Sequence, residues 1–304
     1  MRDKLRTTIL ILMLSSVSFS GAVAQDDDAS SHTSPQSKQA SQAATPQFQE
    51  VIYGHKDGLA LTMDVLEPHV EPNGAAVVFM VSGGWFSKWV PPWQTRATLA
   101  PYLDAGYKVF AARHGSAPRY SIAEAVADVR RAVRTIRRSA RKYSIDPDRI
   151  GVAGMSAGGH LTLMLATTGD DGDPQAEDPI ARISSRIAAG TALVPPSDIT
   201  NYVWGTPNLD DQYRRYPGLD ISKKAAKEVS PLYFVTPDDA PCLMIMGGKD
   251  TLVPAEQGQW IHDKMKSTGV ASKLIVYPDS GHGLDGNMPK AFEESLAWFE
   301  KHLK

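Results

Sequence analysis

The chain has 304 residues, of which 42% are hydrophobic, and a formal net charge of -2 from 32 basic and 34 acidic residues. This length and composition suffice for one sizeable core, so we expect one folded domain, although length alone would also allow two. The near-neutral charge excludes an overall field that would attract nucleic acid or an anionic membrane, and it favours a small, weakly charged substrate.

Residues 1–24 have the pattern of a secretory signal peptide. A positively charged start precedes a short apolar run over residues 7–19 and the small-x-small cleavage site Ala22-Val23-Ala24. The apolar run is shorter than the roughly 20 residues that span a bilayer, so cleavage after Ala24 is favoured over a membrane anchor. The sequence therefore predicts an exported protein, periplasmic or extracellular, without stable membrane insertion.

Residues 25–46 consist mainly of Ser, Ala, Gln, Asp and Thr, with almost no large apolar side chain. Such a stretch cannot bury enough surface to offset the entropy of ordering it. It is predicted to be a disordered polar linker, with the folded domain at residues 47–304. That domain opens with two strand-like runs, Glu50–Tyr53 and Leu59–Leu66, which predict an antiparallel hairpin around a Lys56-Asp57-Gly58 turn.

Beyond the hairpin, buried apolar runs alternate with amphipathic segments of helix length. This alternation predicts the α/β class, with a mostly parallel sheet covered by helices on both faces. The predicted strands are Ala75–Val81, Lys108–Ala112, Ile150–Ala153, Ile187–Leu193, Cys242–Met246 and Lys273–Tyr277. The predicted helices are Gln94–Ala105, Ile122–Tyr143, Ala157–Thr167, Ala255–Thr268 and Pro289–Lys301.

Two clusters of charge need an interpretation. The second predicted helix carries arginines opposite its apolar face, namely Arg130, Arg131, Arg134, Arg137, Arg138 and Arg141. A solvated helix face is favoured over a nucleic-acid patch, because the rest of the chain is not basic.

The run Asp170-Asp171-Gly172-Asp173 lacks the spacing of a calcium loop, so a solvated turn is favoured over a cation site. No metal is expected.

Gly154-Met155-Ser156-Ala157-Gly158 directly follows a predicted strand and opens a helix rich in Leu and Ala. This is the context of a nucleophile elbow, a sharp turn that exposes a serine hydroxyl at the carboxyl edge of the sheet beside a helix N-terminus. The alternative is a glycine-rich turn before a packed helix. The context favours Ser156 as the nucleophile of a hydrolase.

A serine nucleophile needs a base, and a histidine base needs an acid that orients it. His282 follows the last predicted strand, and Asp250 follows the strand Cys242–Met246, so both are expected at the carboxyl edge of the sheet. The chain order Ser156, Asp250, His282 is the order found in α/β-hydrolases. These three residues are the predicted catalytic triad.

Other residues compete for two of these roles. His160 lies four residues after Ser156 and is an alternative base, although its position favours packing along the helix. Asp198 and Asp279 are alternatives for the acid, and both are less favoured than Asp250.

Acyl transfer also needs two backbone N–H donors for an oxyanion. Ala157 is expected to supply one donor and the loop after Val81 the other. Gly83 and Gly84 are the candidates in that loop, and the Trp85 amide is left open.

Trp85 and Phe86, followed by two further tryptophans, are candidate pocket residues. Their aromatic faces could stack on a sugar ring or line an acyl site. Packing in the core is an equally favoured alternative.

From about Val51 to the C-terminus, the chain resembles esterases and lipases of the α/β-hydrolase superfamily. It resembles especially the bacterial carboxylesterases near the hormone-sensitive-lipase group and the feruloyl or acetylxylan esterase-like proteins. The motifs that carry it are Leu61-Thr62-Met63-Asp64-Val65, Ser82-Gly83-Gly84-Trp85, Asp146-Pro147-Asp148-Arg149-Ile150, Gly154-Met155-Ser156-Ala157-Gly158-Gly159-His160, Ser230-Pro231-Leu232, Asp250-Thr251-Leu252-Val253-Pro254 and Gly281-His282-Gly283. The resemblance implies hydrolysis of carboxylic esters, on a small molecule or a polysaccharide, without a cofactor. Short acyl chains are expected on other grounds, because no long hydrophobic cap is available to cover a fatty chain and bulky aromatic residues crowd the loop beside Gly84.

The chain departs from the pattern of those families at two places. Ser82 stands where their oxyanion loop usually has a histidine. The large N-terminal helical cap has no room here, so residues 195–237, which are rich in Pro and Tyr, are expected to shape access to the site. Those residues include Tyr202, Trp204, Tyr213 and Tyr216.

Two other functions stay open at this point. One is a secreted peptidase that resembles the catalytic domain of prolyl oligopeptidase, although the short linker cannot hold the propeller of that family. The other is a non-catalytic binding protein, which would not need a serine, an acid and a histidine in this order.

Overall fold

The computed structural model describes residues 48–204 and 216–304; the predicted signal peptide and linker, and Tyr213, lie outside these ranges. Eight strands of the described part form one sheet: β1 Phe48–Lys56, β2 Leu59–Leu66, β3 Ala76–Met80, β4 Lys108–Ala112, β5 Ile150–Met155, β6 Ala189–Leu193, β7 Cys242–Gly247 and β8 Ser272–Tyr277. Their order across the sheet is β1-β2-β4-β3-β5-β6-β7-β8. Strand β2 is antiparallel to both of its neighbours, and the other pairs are parallel. The predicted α/β class, opened by an antiparallel hairpin, is confirmed.

Helices cover both faces of this sheet. They are α1 Pro92–Thr98, α2 Ala100–Asp104, α3 Ile122–Arg138, α4 Ala140–Tyr143, α5 Ala157–Thr168, α6 Ile199–Trp204, α7 Lys223–Glu228, α8 Glu256–Thr268 and α9 Met288–His302. One core cluster gathers the apolar sides of α3, α5 and α8. A second cluster gathers those of α2 and α9 against the other face. No helix in the described ranges is long and apolar enough to cross a membrane.

Two predicted helices are each divided in the structure. The segment predicted as Gln94–Ala105 forms α1 and α2, which meet at Leu99. Pro101 has no N–H to donate to a carbonyl four residues earlier, so a continuous helix would lose that bond. The segment predicted as Ile122–Tyr143 is interrupted at Ser139, which joins α3 to α4. Sequence periodicity predicted the helical regions but not these breaks.

Four of the five arginines on α3 contact the loop that leads to β6, whereas Arg138 is exposed as predicted for a solvated face. Arg134 and Arg130 both pair with Asp170, and Arg131 pairs with Asp178. Arg137 donates to two backbone carbonyls further along the same loop. The helix therefore holds the loop that leads to β6, and Asp170 belongs to this ion-pair network and not to a solvated turn.

The carboxyl ends of β3, β5, β7 and β8 lie at one edge of the sheet, because these strands run parallel. Each of these strands is followed by a loop that carries one of the predicted site residues. The fold therefore brings together residues that are far apart in the sequence.

Candidate active site

Ser156 occupies a strained turn between β5 and α5. Its backbone has φ 54° and ψ -120°, a conformation that is rare for any residue other than glycine. Its N–H donates to the Leu193 carbonyl at 2.8 Å, which ties the turn to β6. A Cβ on Gly154 would lie 2.3 Å from the Gly158 carbonyl oxygen. Gly154 is therefore required by the close approach of backbone to backbone within this turn, and Gly158 is required because a Cβ there would lie 2.6 Å from the Met80 carbonyl oxygen of β3.

His282 bridges Ser156 and Asp250. Its Nε2 lies 2.9 Å from Ser156 Oγ, and its Nδ1 lies 2.7 Å from Asp250 Oδ2. The other carboxylate oxygen, Oδ1, accepts the N–H groups of Leu252 and Val253, both at 2.8 Å. This carboxylate is buried and held by three donors, so it keeps the imidazole with its proton on Nδ1 and its lone pair towards the serine.

This arrangement can activate a serine alcohol. The free lone pair on Nε2 of His282 is placed to take the proton of Ser156, and Asp250 is placed to stabilise the imidazolium that results. Within the described ranges, no group of three or more His, Cys, Asp or Glu side chains could hold a metal ion.

His160 lies where both of its ring nitrogens already have partners. Its Nδ1 accepts the indole N–H of Trp85 at 3.1 Å, and its Nε2 donates to the Val229 carbonyl at 2.7 Å. The ring is fully buried, and this burial lowers the pKa of His160 to about 4. It therefore has no nitrogen left to serve as a base for Ser156.

The two alternative acids are also engaged elsewhere. The Asp198 carboxylate accepts the N–H of Asn201 and the hydroxyl of Tyr233. Asp279 is exposed and pairs with Lys249 at 2.6 Å. These contacts give each carboxylate a local structural role.

The loop after β3 turns sharply at Gly84 and Trp85. Gly83 and Phe86 exchange two backbone hydrogen bonds of 3.0 Å, and the two residues between them have φ values of 57° and 58°. Two consecutive positive φ values are typical of a type I′ turn. We call residues 83–86 the oxyanion turn.

The hydrogen bonds of this turn correct one predicted donor. The N–H of Gly83 is used by the Phe86 carbonyl, so it is not free for a substrate oxygen. The N–H groups of Gly84, Trp85 and Ala157 have no acceptor among the described residues. Ala157 starts α5, where the first N–H groups of a helix lack intrahelical partners. Gly84 and Ala157 therefore remain as predicted donors, with Trp85 beside them.

An imidazole also faces the start of this loop, although the sequence has Ser82 where related esterases usually have histidine. Ser82 Oγ lies 2.8 Å from Nε2 of His114, which follows β4. Nδ1 of His114 donates to the Gly115 carbonyl at 2.8 Å, so Nε2 is the acceptor. Burial lowers the pKa of His114, which favours the neutral form that this bond requires. Sequence analysis missed His114, and its position at the end of a parallel strand was the available signal.

Trp85 and Phe86 lie in opposite environments. Trp85 is 3% exposed and packs in the core, so of the two alternatives that the sequence left open, core packing applies to Trp85 and the pocket wall does not. Phe86 is 55% exposed, and Trp89 and Trp93 are exposed as well. Phe86 also lines a cleft of about 560 Å³, together with Lys56, Leu59, Leu61, Pro118, Arg119 and Tyr120. The exposed aromatic residues that follow the oxyanion donors are therefore Phe86 and Trp89 in the loop and Trp93 at the start of α1.

Tyr216 approaches the oxyanion turn from the region between β6 and β7. A Cβ on Gly84 would lie 2.4 Å from Cδ1 of the Tyr216 ring. Part of the Pro- and Tyr-rich region therefore reaches the site, as the sequence suggested. Residues 205–215 of that region lie outside the described ranges.

Comparison with known proteins gives three kinds of match. The model of the BD-FAE family matches residues 63–265, which include Ser156 and Asp250. The probable carboxylic ester hydrolase LipM of Mycobacterium tuberculosis is 25% identical over 246 residues, 78% of this chain and 56% of its own length. The acylamino-acid-releasing enzyme 1 of Oryza sativa subsp. japonica is 29% identical over 169 residues, 54% of this chain and 21% of its own.

Among solved structures, the acetyl ester-xyloside bifunctional hydrolase from Caldicellulosiruptor lactoaceticus superposes with a TM-score of 0.72. It is 20% identical and covers 85% of this chain and 98% of its own. At this level of identity the likeness concerns the fold. The chain spans little more than half the length of the curated esterases that it matches.

Proposed function

The chain belongs to the BD-FAE family of α/β-hydrolases, and from this premise we propose that it hydrolyses carboxylic esters through an acyl-enzyme at Ser156. The observation that carries the proposal is the continuous hydrogen-bonded series from Ser156 through His282 to Asp250. Each contact has hydrogen-bond length without any rearrangement of the site.

The first half of the reaction acylates the serine. His282 Nε2 takes the proton of Ser156 as its oxygen attacks the ester carbonyl carbon. The N–H groups of Gly84 and Ala157 bind the oxyanion of the tetrahedral intermediate, and the N-terminus of α5 adds a favourable dipole. As the intermediate collapses, the imidazolium gives its proton to the departing alcohol oxygen.

The second half releases the acid. His282 removes a proton from a water molecule, and the resulting hydroxide attacks the acyl carbon of the ester on Ser156. Collapse of this second intermediate returns the proton to Ser156 and frees the carboxylic acid. The buried Asp250 carboxylate balances the imidazolium charge in both halves.

We propose esters of short acyl groups, acetyl to butyryl, as the finer substrate class, together with acetyl or feruloyl esters linked to a polysaccharide. Tyr216 packs against Gly84 beside the oxyanion donors, which leaves little depth for a long chain on that side. Phe86, Trp89 and Trp93 offer exposed aromatic faces on which sugar rings stack. Export of the mature protein, suggested by residues 1–24, is part of the same proposal.

The test is a panel of p-nitrophenyl esters from acetyl to decanoyl, with acetylated xylan and methyl ferulate, on one purified sample. We expect ester turnover in the unaltered protein. Ser156→Ala should abolish this turnover, and the exposed control Ser267→Ala should leave it unchanged. Circular dichroism and thermal unfolding check that both variants fold. Ester turnover that survives in Ser156→Ala would overturn the proposal.

The second candidate is a peptidase that acts on acylated amino acids. It is favoured by the similarity to the plant acylamino-acid-releasing enzyme, and the order of serine, acid and histidine suits either reaction. Acetyl-alanine p-nitroanilide and p-nitrophenyl acetate separate the two candidates in one assay. Anilide cleavage without ester cleavage would put the peptidase first.

A further inference from the structure

We propose that His160 is a positioning residue for this reaction, because its ring sets the oxyanion turn by accepting the indole N–H of Trp85. The proposal rests on the proposed ester hydrolysis and names a residue outside the triad. His160 touches neither the substrate nor the reacting atoms, so its effect passes through Trp85.

The contact between the two rings is buried and directional. Nε1 of Trp85 lies 3.1 Å from Nδ1 of His160, and the rings meet edge to face with their centroids 5.3 Å apart. Trp85 is 3% exposed and His160 is 0% exposed. An indole N–H in such a dry place is costly to leave without an acceptor, so the ring of His160 restricts where the indole can lie.

Trp85 needs such a restraint because its backbone is strained. Its φ of 58° is uncommon for a residue with a large side chain, and the surrounding structure must hold it there. The Ala117 N–H holds the Trp85 carbonyl at 3.1 Å, and His160 holds the side chain. Together these two bonds fix Trp85 in the oxyanion turn. They thereby set the direction in which the N–H groups of Gly84 and Trp85 point.

The position of His160 on α5 links the two sides of the oxyanion site. The same helix carries Ser156 as its N-cap, Ala157 as its first residue and His160 one turn later. Ala157 supplies one oxyanion donor directly, and His160 holds the turn that supplies the other. A single rigid helix thereby sets the distance between the two donors.

The second nitrogen of His160 determines which tautomer is present. Nε2 donates to the Val229 carbonyl at 2.7 Å, so the proton is on Nε2 and the lone pair is on Nδ1. This is the tautomer that can accept the Trp85 indole. The two bonds can therefore be separated by substitution, because an amide side chain of different length replaces one nitrogen at a time.

The test compares His160→Gln with His160→Asn. The Asn amide oxygen lies near the position of Nδ1 and keeps an acceptor for Trp85, whereas the Gln amide nitrogen reaches towards Val229 and loses that acceptor. Removal of one oxyanion donor costs about 100- to 1,000-fold in kcat, and we expect displacement of a donor to cost roughly 10- to 100-fold. We expect that loss in His160→Gln with little change in KM, and a loss of under about threefold in His160→Asn.

Trp85→Phe removes the indole N–H donor of the same hydrogen bond, so its loss in kcat should match that of His160→Gln. The double variant should lose no more kcat than either single variant. Active sites are counted with a stoichiometric organophosphate, so that kcat refers to folded enzyme. The affinity for a trifluoromethyl ketone, whose adduct carries an oxyanion on Ser156, should fall by the same factor as kcat/KM.

Equal kcat per titrated site in the Gln and Asn variants would overturn the proposal, because the ring would then serve packing or the bond to Val229. If His160→Gln does not fold, Trp85→Phe alone decides: wild-type kcat and ketone affinity in that variant would also overturn it. Absence of ester turnover in the unaltered enzyme is a different result and contradicts the proposed function instead.

Discussion

Acidification should lower the free energy of unfolding of this protein, because the folded state disfavours protonation of His160. Burial lowers the pKa of His160 from 6.5 to about 4 in the folded protein. Below pH 6.5 the unfolded chain therefore binds a proton that the folded protein does not, so the free energy of unfolding decreases as the pH falls. The decrease is about 1 kcal/mol for each pH unit, and about 3 kcal/mol between pH 6.5 and pH 4. Above pH 6.5 the contribution of His160 to stability is fully present.

The measurement is urea unfolding of the wild type and His160→Asn at pH 7.5, 6.5, 5.5 and 4.5, followed by tryptophan fluorescence. The asparagine cannot titrate, so subtraction of the two free energies cancels other groups, including His114, whose pKa burial also lowers. We expect the advantage of the wild type over the variant to shrink by about 1 kcal/mol per pH unit between pH 6.5 and pH 4.5. Two free-energy curves that stay parallel down to pH 4.5 would refute the reasoning.

Three further predictions concern activity. Asp250→Asn should lower kcat by roughly 10,000-fold, because the amide misplaces the His282 proton. Asp198→Asn should lower kcat only slightly. A larger loss in Asp198→Asn than in Asp250→Asn would show that the acid is wrongly assigned. Gly84→Ala should lower kcat strongly, because its Cβ would lie 2.4 Å from the Tyr216 ring. Gly83→Ala meets no atom within 4 Å and should keep near wild-type kcat. Catalytic efficiency should peak at acetyl to butyryl esters, because a deep dry pocket would add about 0.8 kcal/mol per methylene; an optimum at decanoyl would contradict a shallow site.

Several features could be predicted from the sequence because a local pattern encodes them. Ser156, Asp250 and His282 each follow an apolar strand, and parallel strands bring their carboxyl ends to one edge. The hairpin and the parallel strands were predicted from alternation and burial, with boundaries within a few residues. The helices α6 and α7 were missed, because each has 6 residues, too few for a periodic apolar face.

The contacts that hold the oxyanion turn could not be predicted. Ser82 and His114 are 32 residues apart, and Trp85 and His160 are 75 residues apart, with no spacing rule to join them. The opposite burial of Trp85 and Phe86 depends on the positive φ of Trp85, which directs its side chain into the core. Such a turn requires the rest of the fold to hold it, so its conformation is not a local property of the sequence.

The sheet order has a consequence for when the enzyme becomes competent. Ser156 follows the central strand β5, whereas His282 follows β8, the last strand in the sequence, which pairs with β7 at the edge of the sheet. A chain that has been synthesised only as far as β7 contains the serine but neither the acid nor the base, because Asp250 follows β7 and His282 follows β8. On the proposed mechanism, hydrolysis therefore requires that β8 has docked on β7, so the appearance of activity reports the docking of this edge strand.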